Sequence, residues 1–100
     1  MTDQPGGTVS ATGSVTVRYW AAARAAAGVE KDVVAVADGT TLADVLAAVP
    51  GLHPDRTRLP DVVAVCSVLV GDRPVGSRSP GDVPLAPGDT VELLPPFAGG

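Results

Sequence analysis

The sequence predicts an α+β domain, a mixed sheet of about five strands carrying one main amphipathic helix. Three observations support this. Short segments rich in β-branched residues recur between Gly- and Pro-containing turns, one stretch alone has a clear helical apolar stripe, and the last strand runs directly into the C-terminus.

One hundred residues suffice for one domain with one core. Residues 1–13 are rich in Gly, Ser and Thr, with Pro5 and almost no large apolar side chain, and read as a disordered extension. The folded domain is expected over 14–94, followed by an extended tail over 95–100. Ser14 to Trp20 alternates like a strand, so the adjacent Tyr19 and Trp20 point to opposite faces. Ala21 to Ala27 is alanine-rich, interrupted only by Arg24, and stops at Gly28, as a short helix with a glycine C-cap does. Lys31 to Ala37 is a second strand, closed by Asp38-Gly39.

Leu42, Val45, Leu46 and Val49 fall at i, i+3, i+4 and i+7, the stripe of the main helix. Thr41 and Asp44 stand at capping-box spacing, and Pro50-Gly51 is the expected stop. His53 to Pro60 reads as a polar surface connection. Asp61 to Val65 fits either a helical turn or the start of a strand. Cys66 to Val70 reads as a buried strand, and Arg73 to Val75 as an edge segment, where Pro74 is tolerated. Pro87-Gly88 suits a type II turn that launches the last strand, Thr90 to Leu94. The compact architecture with this order is the β-grasp, or ubiquitin-like, fold.

Composition excludes several classes of function. The net charge of −4, without a Lys/Arg block, argues against a nucleic acid partner. No apolar run approaches membrane-spanning length, so no membrane association is expected. The single cysteine, Cys66, cannot form an intramolecular disulfide, and a cytoplasmic location is the default. No nucleophile–base pair, phosphate loop or Cys/His metal spacing is present, so a self-contained catalytic site is not expected, nor a bound metal or cofactor. His53 reads as a solvated loop residue and Cys66 as a small core residue. Asp38, Asp44, Asp82 and Asp89 read as turn and cap residues.

The tail carries the sharpest signal. Pro95 and Pro96 cannot donate to a sheet, so pairing stops at Leu94 and the chain continues extended. Six residues at about 3.3 Å each form an arm on the order of 20 Å long. Gly99 and Gly100 have no side chains, so this tip can enter a narrow channel, and its only reactive group is the α-carboxylate. At a background glycine usage of about 7%, roughly one chain in two hundred ends in Gly-Gly by chance, so the pair gains weight only from the strand and prolines before it.

Pro87-Gly88-Asp89-Thr90-Val91-Glu92-Leu93-Leu94-Pro95-Pro96-Phe97-Ala98-Gly99-Gly100 resembles the C-terminal signature of the MoaD/ThiS family of ubiquitin-like sulfur carriers, most of all its MoaD branch, the small subunits of molybdopterin synthase. Val17 to Gly28 resembles the family's first strand and its short Ala/Arg helix. The likeness spans 14–100. It departs from the family's pattern at Asp61 to Gly71, where many members carry an Asn-Gly turn and this chain continues Cys66-Ser67-Val68-Leu69-Val70-Gly71-Asp72.

The resemblance implies that a ubiquitin-activating-like adenylyltransferase uses ATP to adenylate Gly100, and that sulfur then replaces AMP to give a thiocarboxylate. It implies a synthase partner: the large subunit of molybdopterin synthase or, for other branches, a thiazole synthase or a PLP-dependent sulfhydrylase. A ubiquitin-like modifier joined to target lysines is the alternative from another class. Trp20, Leu94, Pro95, Pro96, Phe97 and Ala98 are the expected partner-binding residues, with Arg24 a candidate contact for the activating enzyme.

Overall fold

The computed structural model describes residues 13–96. Its elements are β1 (Gly13–Tyr19), α1 (Ala21–Ala27), β2 (Lys31–Val36), α2 (Leu42–Leu52), α3 (Leu59–Val65), β3 (Ser67–Val70), β4 (Arg73–Pro74) and β5 (Thr90–Leu94), with a 3-10 turn at Pro80–Asp82. The sheet order is β2-β1-β5-β3-β4. β1 pairs antiparallel with β2 and parallel with β5, while β3 is antiparallel to both β5 and β4. This is the expected β-grasp, with β5 in the middle of the sheet.

Alternation on the strands and the stripe on α2 build one core. Val15, Val17 and Tyr19 of β1 and Val91 and Leu93 of β5 face Leu42, Val45 and Val49 of α2, all buried. Each such side chain contributes about 1.5–3 kcal/mol through removal from water. The other sheet face carries Thr16, Arg18, Glu92 and Leu94, with no helix over it among the described residues. Tyr19 and Trp20 divide as their spacing requires, at 2% and 41% exposed.

Local signals hold where backbone chemistry decides. Thr41 and Asp44 form the reciprocal capping box, with the Thr41 amide donating to Asp44 Oδ2 at 2.9 Å. Gly88 has φ 91°, and the Asp89 amide closes the turn on the Ala86 carbonyl at 3.1 Å, matching a Pro-Gly type II turn. The Asp89 carboxylate accepts from the Ala86 amide at 2.8 Å. Pro74 lies on the edge strand, where its missing N–H costs nothing.

Several boundaries differ from expectation. β1 begins at Gly13, one residue early, and Met1–Thr12 lie outside the described residues. α2 continues through Pro50 and Gly51 to Leu52, because a proline so near the end removes only one intrahelical bond. Asp61 to Val65 belongs to a helix, α3, which starts at Leu59 inside the expected surface connection. Leu59 is fully buried and Val62 and Val63 pack against the core, a 3–4 spacing that pays off only with a core to face. Cys66 is the C-cap of α3 rather than the first residue of β3. Among the described residues the Asp38 and Asp82 carboxylates make no turn or cap hydrogen bond, while the Asp82 carbonyl accepts from Arg78. No described helix is long and apolar enough to cross a membrane.

Candidate functional site at the exit of the last strand

β5 is held on both sides to its end. Arg18 and Tyr19 stand opposite Glu92 and Leu93, and Ser67 opposite Leu94. The Trp20 amide donates to the Leu93 carbonyl at 3.2 Å, the last tie between β1 and the exit strand. Pro95 is half-buried and Pro96 exposed. The two prolines end the ladder where the neighbouring strands also stop, so the chain leaves the sheet from a fixed point. Phe97, Ala98, Gly99 and Gly100, the expected reactive tip, lie outside the described residues.

A polar cluster frames the exit on the open face of the sheet. The Trp20 indole Nε1–H donates to Glu92 Oε1 at 2.9 Å, and the Arg18 guanidinium carbon lies 5.1 Å from the Trp20 ring centroid. The cation–π contact and the hydrogen bond hold the partly exposed indole between a cation and an anion. Arg18 Nε is buried and has no hydrogen-bond partner among the described residues. Ala21, next to Trp20, has φ 49°, the left-handed region that costs a non-glycine residue about 1–2 kcal/mol. This tight passage from β1 into α1 keeps Trp20 beside the strand end.

Trp20, Leu94, Pro95 and Pro96 are therefore gathered at one exit. Arg24 is exposed on α1, beyond Trp20, and its side chain makes no hydrogen bond or ion pair among the described residues. Sequence reasoning missed Arg18 and Glu92. Their signal was strand alternation, which puts both on the face opposite Val17 and Leu93.

His53 departs from the sequence expectation. It is half-buried as the C-cap of α2, with Nε2 2.5 Å from Asp32 Oδ2. The same oxygen accepts from the Tyr19 hydroxyl at 2.8 Å, and the Tyr19 and His53 rings meet edge-to-face with centroids 6.4 Å apart. Burial, then the hydrogen bond to Asp32 and that carboxylate's charge, push the Tyr19 phenol well above its ordinary value. The readable signal was Asp32 itself, an acid at an inward position of β2. The trio ties an edge strand to a helix end and lies on the helix-covered side of the sheet, away from the exit cluster.

Cys66 is half-buried, and its thiol donates to the Val62 carbonyl at 3.2 Å. Burial pushes the thiol's pKa up, which disfavours the reactive thiolate and fits a packing role. Among the described residues at the exit, none forms a nucleophile–base pair.

Comparisons with known proteins agree with this geometry. The family model described as "ThiS family" matches residues 17–100. The crystal structure of SAMP1 from Haloferax volcanii superposes with TM-score 0.72 at 27% identity, covering 88% of this chain and 100% of that one. The solution structure of the Haloferax volcanii HVO 2177 protein gives TM-score 0.70 at 26% identity, covering 100% of this chain and 94% of that one. A Pyrococcus furiosus protein provisionally described as molybdopterin converting factor, subunit 1, gives TM-score 0.68 at 23% identity, covering 86% and 100%, a likeness of fold. Comparison with curated proteins gives no significant match.

Proposed function

The chain belongs to the ThiS family, whose members are ubiquitin-like sulfur carriers and modifiers, and on that premise we propose that it carries sulfur on the C-terminal carboxylate of Gly100. The observation that supports this reading is the placement of β5. It is the central strand, tied down to Leu93 and Leu94, and it delivers the chain through Pro95-Pro96 toward a terminal Gly99-Gly100 included in the family match.

The chemistry follows from the group available. A terminal carboxylate has a pKa of about 3.3–3.7 and is ionised at neutral pH, so it is a poor electrophile. A ubiquitin-activating-like adenylyltransferase joins it to the α-phosphate of ATP, releasing pyrophosphate. A sulfur nucleophile then attacks the acyl carbon and AMP departs, leaving a thiocarboxylate. A synthase partner supplies the acid–base groups for transfer to the acceptor. We assign the carrier to the large subunit of molybdopterin synthase, with a cyclic pterin precursor as acceptor, on the Pro-Pro-Phe-Ala-Gly-Gly ending and the fold it shares with the Pyrococcus furiosus protein. Trp20 and Leu94, beside the exit, are the apolar contacts offered to that partner.

Intact mass spectrometry of the protein from its native host tests the reading. A mass shift equal to replacing one oxygen by sulfur at Gly100 is expected, abolished by deleting Gly100 or extending the chain beyond it. Its absence under conditions of cofactor demand overturns the proposal. The likeness to SAMP1, a small archaeal modifier protein, favours one second reading, in which Gly100 is joined to lysines of other proteins. Gly-Gly remnants on target lysines, without thiocarboxylate, would select it.

A further inference from the structure

Away from the strand exit, a second surface has its own chemistry. Seven residues of the chain are Lys or Arg, and three of them, Arg24, Arg56 and Arg58, collect around α1 in a protein of net charge −4. α1 buries Ala23 and Ala27 and turns Ala22 and Ala25 outward, so its outer face has almost no side-chain relief. Two shallow depressions of about 210 Å³ each lie along it. One is lined by Ala22, Ala25, Ala26, Arg58 and Val62, the other by Ala25, Ala26, Arg56, Arg58 and their loop neighbours Asp55 and Thr57.

The guanidinium of Arg56 lies directly over Gly28. A Cβ there would overlap three guanidinium atoms, so the glycine that ends α1 also makes the seat for this cation. All three arginines are exposed, and among the described residues none of their guanidinium groups makes a hydrogen bond or ion pair to the protein. Glu30 and Asp55 are on the same surface, yet neither forms an ion pair; the only described one is His53–Asp32. Guanidinium groups present five donors each in a planar fork suited to carboxylates. A floor of alanines lets a second backbone approach closely.

We propose that this face binds an acidic segment of a partner protein, its carboxylates taken by Arg24, Arg56 and Arg58 and its backbone lying along the alanines of α1. Charge complementarity selects the occupant. A nucleic acid is disfavoured because this face presents no aromatic platform for bases among the described residues. The acidic segment is recognised by charge alone, so the proposal stands whether or not the chain carries sulfur.

The test is an NMR titration of the full-length protein with an end-blocked octaglutamate peptide, and with octaglutamine as control. Saturable amide shifts confined to Ala22–Gly28 and Asp55–Arg58 are expected, with none for octaglutamine. The Arg56→Gln/Arg58→Gln variant should weaken binding by at least about tenfold, while the charge-matched Arg73→Gln/Arg78→Gln variant stays within about twofold. Arg24→Gln alone should give an intermediate loss. Absent saturation, shifts spread over all cations, equal loss in the two double variants, or equal binding of a single-stranded oligonucleotide of matching charge would each overturn the proposal.

Discussion

The indole of Trp20 and the carboxylate of Glu92 are joined by a 2.9 Å hydrogen bond although seventy-two residues separate them. The bond crosses from the end of β1 to the strand that delivers the tail. It fixes an otherwise exposed aromatic ring beside the exit.

That bond is measurable as a coupling. A double-mutant cycle with Trp20→Phe and Glu92→Ala should give about 0.5–1.5 kcal/mol by urea denaturation. Trp20 is the only tryptophan, so its emission should also change in Glu92→Ala. A coupling near zero would mean the indole is not held there.

Leu93 and Leu94 are neighbours with opposite roles. Leu93→Ala, at a fully buried position, should cost about 2–5 kcal/mol. Leu94→Ala, on the open face, should cost under about 1 kcal/mol but, if the proposed function holds, weaken capture of the proposed synthase partner. Comparable destabilisation by both would place Leu94 in the core instead.

Gly28 and Ala21 form a second pair. Gly28 has φ 79° and lies under Arg56, so Gly28→Ala should destabilise by about 1–2 kcal/mol. Part of this should be recovered in Gly28→Ala/Arg56→Ala, which removes the overlap. Ala21, at φ 49°, should respond in the opposite sense, with Ala21→Gly neutral to stabilising in thermal melts.

Tyr19 makes stability depend on alkaline pH. Its folded pKa is raised above the ordinary 10.0 of a free phenol side chain, chiefly by burial. The folded state therefore keeps its proton where the unfolded chain loses it. The associated stability is fully present below about pH 10 and falls above it, by up to about 1.4 kcal/mol per pH unit. Tyr19→Phe should abolish that part of the slope while costing stability at pH 7. Identical slopes in the two proteins would refute the assignment.

Much of the fold was readable because it depends on neighbours in sequence. Alternation placed β1, the stripe placed α2, the Pro87-Gly88 turn and the Pro95-Pro96 stop bracketed β5, and Thr41 and Asp44 marked a cap through backbone chemistry within three or four residues. The register of those strands was not readable. That β5 runs parallel to β1 and occupies the centre of the sheet depends on pairing across the whole chain.

The same division runs through the sites. The sequence by itself determined where pairing must stop, at Pro95, because a proline has no amide to donate to the next strand. Only the tertiary structure decided what surrounds that exit. Arg18, Trp20 and Glu92 meet because parallel pairing brings distant residues level, and His53 becomes a fixed partner of Asp32 because α2 ends over β2. Arg56 joins Arg24 because Gly28 leaves room for its guanidinium. Each of these contacts joins segments whose approach is set by burial of a shared core, a property of the whole chain that no local pattern carries.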